Sequence, residues 1–181
     1  MNALDPIRRL HEHCAWVNRN LRDAARGLPD ESLRKSFPIG QGSIWKSLMH
    51  MYAAEYVWLE TLLGDERALL PGDVPDKLPG NQQGQGGIAS LEQLESKWDE
   101  LDGRWQAYLA RLTDADLDHS VPRVGSDGVR RSTRRGDVLL HVCTHAHYTT
   151  AQVVNMLRQV GATKLPEVML IALARQQMGN P

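Results

Sequence analysis

The chain has 181 residues, a formal charge of -1 and 41% hydrophobic residues, which is enough to bury one continuous core in a single domain, residues 1–181, without a metal or disulfide staple. That balance excludes a disordered chain and makes a nucleic-acid partner unexpected, because affinity for polyanions needs a surplus of positive charge. No run approaches the roughly 20 consecutive apolar residues of a membrane span, and residues 1–9 lack the basic-then-apolar order of a signal peptide, so a soluble cytoplasmic protein is expected.

Ile7, Leu10, Cys14, Val17, Leu21 and Leu28 recur at helical spacings, which predicts a first helix from Leu4 to Gly27 with one buried stripe. Trp16 falls opposite that stripe, as a dimer contact or as an isolated surface residue. Residues 30–42 read as a connecting segment, interrupted by Pro38, Gly40 and Gly42. Ser43 suits the N-cap of a second helix running through Leu48, Met51 and Leu62 to Gly64. Residues 65–89, rich in proline and glycine and ending in Asn81-Gln82-Gln83-Gly84-Gln85-Gly86-Gly87, predict a long mobile surface loop.

Ser90 with Gln93 forms a capping-box pattern ahead of a third helix that closes near Leu112. Val121, Val124 and Val129 around Gly125-Ser126-Asp127-Gly128 predict a short hairpin. A fourth helix then spans Arg134 to Val160, with a core stripe of Val138, Val142, Ala146, Thr149, Val153, Met156 and Val160. Pro166 fits the first turn of a short fifth helix through Gln177. The expectation is an all-α fold, an antiparallel four-helix bundle with a small hairpin excursion and a short C-terminal helix. Cys14 and Cys143 lie on apolar-leaning helical positions, which predicts two buried thiols in a reducing compartment.

Three of the seven histidines, His141, His145 and His147, lie on the fourth helix, and His50 lies on the second. His141 and His145 are four residues apart and share a helix face, a spacing at which two imidazoles can hold one divalent metal. A pair of this kind also arises by chance in interfacial side chains, and a third ligand has to come from elsewhere. His50 is the candidate, although it stands more than about 90° from the stripe of Ile44, Leu48, Met51, Glu55 and Leu62. Glu55 falls inside that stripe and needs a partner. It is read either as a general base or acceptor for a ligand histidine, or as a structural bridge to an arginine or to Asn18. Arg123, Arg130, Arg131, Arg134 and Arg135 make a basic patch, read as solvated surface or, if functional, as a hold for a substrate carboxylate.

The stretches Leu10-His11-Glu12-His13-Cys14-Ala15-Trp16-Val17-Asn18-Arg19, Gly42-Ser43-Ile44-Trp45 leading to His50 and Glu55-Tyr56-Val57-Trp58-Leu59, and Leu139 to His145 running on to Gln152 and Gly161 resemble the DinB-like (DinB/YfiT) family of bacterial metal-dependent proteins in order and spacing. The resemblance implies a helical bundle, usually a homodimer, that holds a divalent ion such as zinc or nickel on three histidines. Carried across, the ligands fall on His50, His145 and Thr149. Threonine at the third position departs from the family pattern, since its hydroxyl is a poor ligand for these ions. Two outcomes stay open: His141 substitutes from one turn earlier, giving His50, His145 and His141 as the metal set, or the ion is absent. The resemblance implies a metal-dependent enzyme of thiol transfer, detoxification or hydrolysis, with a small-molecule substrate and a low-molecular-weight thiol as cofactor. The alternative is a metal-free, non-catalytic helical dimer that binds a small ligand or partner.

Overall fold

The computed structural model describes residues 2–179. Helix α1 spans Leu4–Arg26, α2 Asp30–Arg34, α3 Ile44–Leu62, α4 Leu91–Arg111, α5 Arg135–Gln159 and α6 Leu170–Gln177. A 3₁₀ turn at Asp114–Asp118 and two strands, β1 Ser120–Val124 and β2 Arg130–Arg134, separate α4 from α5. The caps read from sequence are formed: Ser43 accepts from Lys46 N at 3.1 Å and Ser90 from Gln93 N at 3.2 Å. Gln93 Oε1 reaches back to Ala89 N at 3.0 Å.

The four long helices pack in the cyclic order α1, α5, α3, α4. Cross-helix contacts set their directions. Arg8 meets Leu109 while Arg22 meets Glu95, so α1 and α4 are antiparallel. His50 meets His145 while Trp58 meets His141, so α3 and α5 are antiparallel too. By contrast His11 pairs with Leu139 and Cys14 with Cys143, which makes α1 and α5 parallel neighbours. Glu55 meets Trp98 and Glu60 meets Arg104, so α3 and α4 are parallel as well.

Two consecutive parallel helices require a connection that returns along the whole bundle, about 28 Å for a helix of this length. Residues 63–90 are that connection. The segment is the long loop expected from the sequence, without helix or strand, and side chains rather than a backbone ladder hold it. The Asp73 carboxylate accepts from Gly80 N at 2.7 Å, Gln82 N at 2.9 Å and Gln82 Nε2 at 2.7 Å. Leu70 is buried beneath it.

Other differences have equally local causes. Residues 30–42 contain the short helix α2, entered through Pro29, which buries Leu33 and leads to buried Phe37 over one end of the bundle. Helix α6 begins at Leu170 rather than at Pro166, and extended residues before it lie across α1, where Val168 O takes His13 Nε2 at 3.0 Å. Helix α6 itself meets Trp16, whose Nε1 donates to Gln176 Oε1 at 3.2 Å. Cys14 and Cys143 are free and buried. Among the described residues no helix is long and apolar enough to cross a membrane.

Candidate metal centre

The seam between α3 and α5 brings His50 and His145 together, ring centroids 5.0 Å apart and planes inclined at 67°. Their Nε2 atoms are 3.1 Å apart. His50 Nδ1 lies 2.9 Å from Pro79 O, and because a carbonyl only accepts, that nitrogen carries the hydrogen. A lone pair on His50 Nε2 therefore points at His145. If His145 carries its hydrogen on Nε2, the pair is a hydrogen bond. In the other tautomer two lone pairs face one another and call for a cation. An ion about 2.05 Å from each nitrogen would see them at an angle of about 98°, within reach of tetrahedral coordination. Burial first, then the neighbouring His50 and His141, push the His145 pKa down to about 4, so its imidazole is neutral near pH 7 and free to donate electrons.

The wheel of α3 places His50 far from the bundle stripe, yet the residue is half-buried. The connection 63–90 explains this. Gly80, with φ +86°, lies so close to α3 that a Cβ there would sit 2.8 Å from Met49 O, which delivers the neighbouring Pro79 carbonyl to His50. Helix periodicity reports the face toward other helices and is blind to a loop folded over the opposite face.

His141 stands one turn before His145, exposed, with ring centroids 5.9 Å apart and its edge against Trp58 at 5.4 Å. Thr149 is buried one turn after His145. Among the described residues no three histidine, cysteine, aspartate or glutamate side chains converge on one point. The structure thus brings together two of the three histidines singled out from sequence and leaves His141 aside. Gln152 reaches from α5 to Gly40, where the absence of a side chain leaves room for the amide that a Cβ would strike.

Glu55 does not join the histidines. Asn18 Nδ2 and Trp98 Nε1 each donate to it at 2.8 Å, near the bundle axis. The reading as a bridge to Asn18 is the one observed; no arginine takes part, and Trp98 supplies the second donor. Within the basic patch Arg130 pairs with Glu66, Arg131 with Asp127, Arg134 with Asp118 and Arg135 with Asp116. The reading of the patch as a hold for a substrate carboxylate is therefore corrected at Arg134 and Arg135, since each guanidinium already pairs with an acid of the 3₁₀ turn. Arg123 differs. Its guanidinium lies 5.2 Å from the Trp58 ring and donates to Thr61 Oγ1 at 2.9 Å, with no carboxylate in salt-bridge range among the described residues. Sequence reasoning did not separate it from the other arginines. One signal was available, since a residue two along a strand from buried Val121 shares its face.

These features define a four-helix-bundle protein with facing imidazoles on one interhelical seam, the kind of scaffold in which side chains of opposed helices build ligand and metal sites. The chain belongs to the DinB family, whose family model matches residues 1–175. It is similar to Protein DinB of Bacillus subtilis (strain 168), with 24% identity over 160 residues, covering 87% of this chain and 88% of that one. Its fold is similar to that of YfiT from Bacillus subtilis, with a TM-score of 0.62 and 18% identity over 86% of this chain and 87% of that chain. YfiT is described as a probable metal-dependent hydrolase with an unusual four-helix bundle topology.

Proposed function

We propose that this protein is a divalent-metal-dependent enzyme acting on a small molecule, with His50 Nε2 and His145 Nε2 as two ligands of the ion. The observation that carries the reading is their 3.1 Å separation, with the His50 tautomer held by Pro79 O. The description of YfiT supports metal-dependent hydrolysis as the reaction class, and transfer to a small thiol uses the same open coordination positions. Zinc or nickel bound there would supply Lewis-acid activation of water or of a thiol.

The chain's own groups have separate tasks. Pro79 O orients the His50 imidazole, and burial keeps His145 neutral. His141 completes a third position only by swinging off the edge of Trp58. Arg123, lying over Trp58, holds a substrate carboxylate. A cytoplasmic enzyme accords with the two free buried thiols, and a homodimer with the resemblance set out above.

Elemental analysis of untagged protein tests this reading. Wild type should retain about one equivalent of metal, and His50→Ala and His145→Ala should lose it; less than about a tenth of an equivalent in wild type refutes the proposal. His141→Ala then reports whether the third position is filled from that turn. A second reading, a metal-free binding module, is favoured by buried Thr149 and by the fact that 3.1 Å is also a hydrogen-bond length. Its signature is wild type without metal while all three variants keep the fold.

A further inference from the structure

The seam opposite the histidine pair holds a second set of buried polar groups. A cavity of about 560 Å³ lies between α1 and α4, a size that accepts a small molecule. His11, Asn18 and Arg19 line it from α1, Asp102 and Trp105 line it from α4, and Glu55 reaches it from α3. It shares no lining residue with the histidine site.

Hydrogen-bond supply and demand do not balance there. Each Glu55 oxygen accepts one bond, from Asn18 or from Trp98, and neither donor is a cation. Asn18 Oδ1 and Asp102 Oδ2 are buried without any hydrogen-bond donor. The nearest guanidinium groups, of Arg19 and Arg22, stop 3.7 and 3.9 Å from Asp102 Oδ2. Buried oxygens left in this state are costly. Burial and then Asp102 raise the Glu55 pKa to about 7, and burial raises Asp102 to about 6 against the pull of Arg22 and Arg19. His11 contributes no compensating charge, because burial lowers its pKa, and its ring lies 4.9 Å from that of Trp105.

We propose that the α1/α4 cavity binds a small organic ammonium ion, its N–H groups directed to Glu55, Asn18 Oδ1 and Asp102 and its hydrocarbon body against the Trp105 and His11 rings. Such a ligand supplies the missing hydrogens and the missing positive charge together, and the indole face adds a cation–π contact. Trp105 Nε1 also lacks a partner, and it offers one donor to an acceptor elsewhere on the ligand. Three carboxylates, of Glu12, Glu55 and Asp102, line the cavity against the two guanidinium groups of Arg8 and Arg19, and Arg8 is engaged by Leu109 O and Leu112 O. Leu109 and Val142 supply apolar wall for the hydrocarbon part.

The test is titration of the full chain with benzylammonium chloride, followed by tryptophan fluorescence and by calorimetry, with benzoate as the control of opposite charge. Saturable binding of benzylammonium and none of benzoate is expected. Glu55→Gln and Asp102→Asn, each checked for helicity, should weaken binding by at least about tenfold, the loss associated with one charge-assisted hydrogen bond. Ala15→Leu fills the cavity from its apolar wall with both carboxylates retained, so it should abolish binding whatever the carboxylate variants do to folding. No saturable signal up to about 10 mM, equal binding of benzoate, or wild-type affinity in Ala15→Leu overturns the proposal.

Discussion

Replacing Glu55 by glutamine should change how stability depends on pH, by an amount the structure sets. In the fold this carboxyl has its pKa raised from 4.5 to about 7, chiefly by burial. The folded protein therefore keeps a proton that the unfolded chain has already released across that window. A raised carboxyl pKa costs nothing below the unfolded value, costs progressively more as pH climbs through the window, and costs its full amount above the folded value. At about 1.4 kcal/mol per pH unit the full amount is about 3 kcal/mol. Glutamine keeps the size and one acceptor oxygen but meets either Asn18 or Trp98 with an N–H, a cost of about 1–3 kcal/mol that does not vary with pH. Asp102 titrates nearby in both proteins, so its direct contribution cancels in the comparison. Urea unfolding followed by far-ultraviolet circular dichroism, from about pH 4.5 to about pH 8, should show the stability difference moving about 3 kcal/mol in favour of Glu55→Gln. A difference constant to within about 0.5 kcal/mol over that range would falsify the assignment of a buried, high-pKa carboxyl at this position.

Gly80→Ala places a methyl group against the α3 backbone at a positive φ. It should cost about 1–3 kcal/mol and lower metal retention by withdrawing Pro79 O from His50, read by thermal melts and elemental analysis; an unchanged Tm and metal content would refute the coupling of loop to site. Trp98→Phe removes one of the two donors to Glu55. It should destabilise the fold by about 2–4 kcal/mol near pH 8 and by less near pH 5, so an effect of equal size at both pH values would contradict a charged partner. In chelator-treated protein the His145 imidazole should titrate near 4 by NMR and shift upward in His50→Ala, since His50 is one of the groups that depress it. An unshifted imidazole titration near 6.5 would rule out the desolvated seam.

The helices and their caps were legible because helix formation and amphipathic burial are local. The stripes of α3 and α5, from Ile44 to Leu62 and from Val138 to Met156, are buried as their spacing predicts. Cap residues Ser43 and Ser90 act on backbone three residues away, which a linear reading can see. The family was legible for the same reason, since its motifs lie along single helices.

What periodicity missed depends on contacts between segments distant in sequence. Pro79 orients His50 from a segment with no periodic pattern, and the parallel placement of α3 and α4 is what forces that segment back along the bundle. Whether Glu55 serves the histidines or the opposite cavity turns on which helix lies across from it. The arginines of the excursion were indistinguishable until the hairpin turn, the 3₁₀ turn and residues 63–90 supplied acids to all but Arg123. Sequence alone determined which residues form helices and which faces are apolar, because those depend on neighbours within one or two turns. Only the tertiary structure decided which helices are neighbours, in which direction they run and what covers His50, because those depend on the entropy of chain return and on packing among segments far apart in the chain.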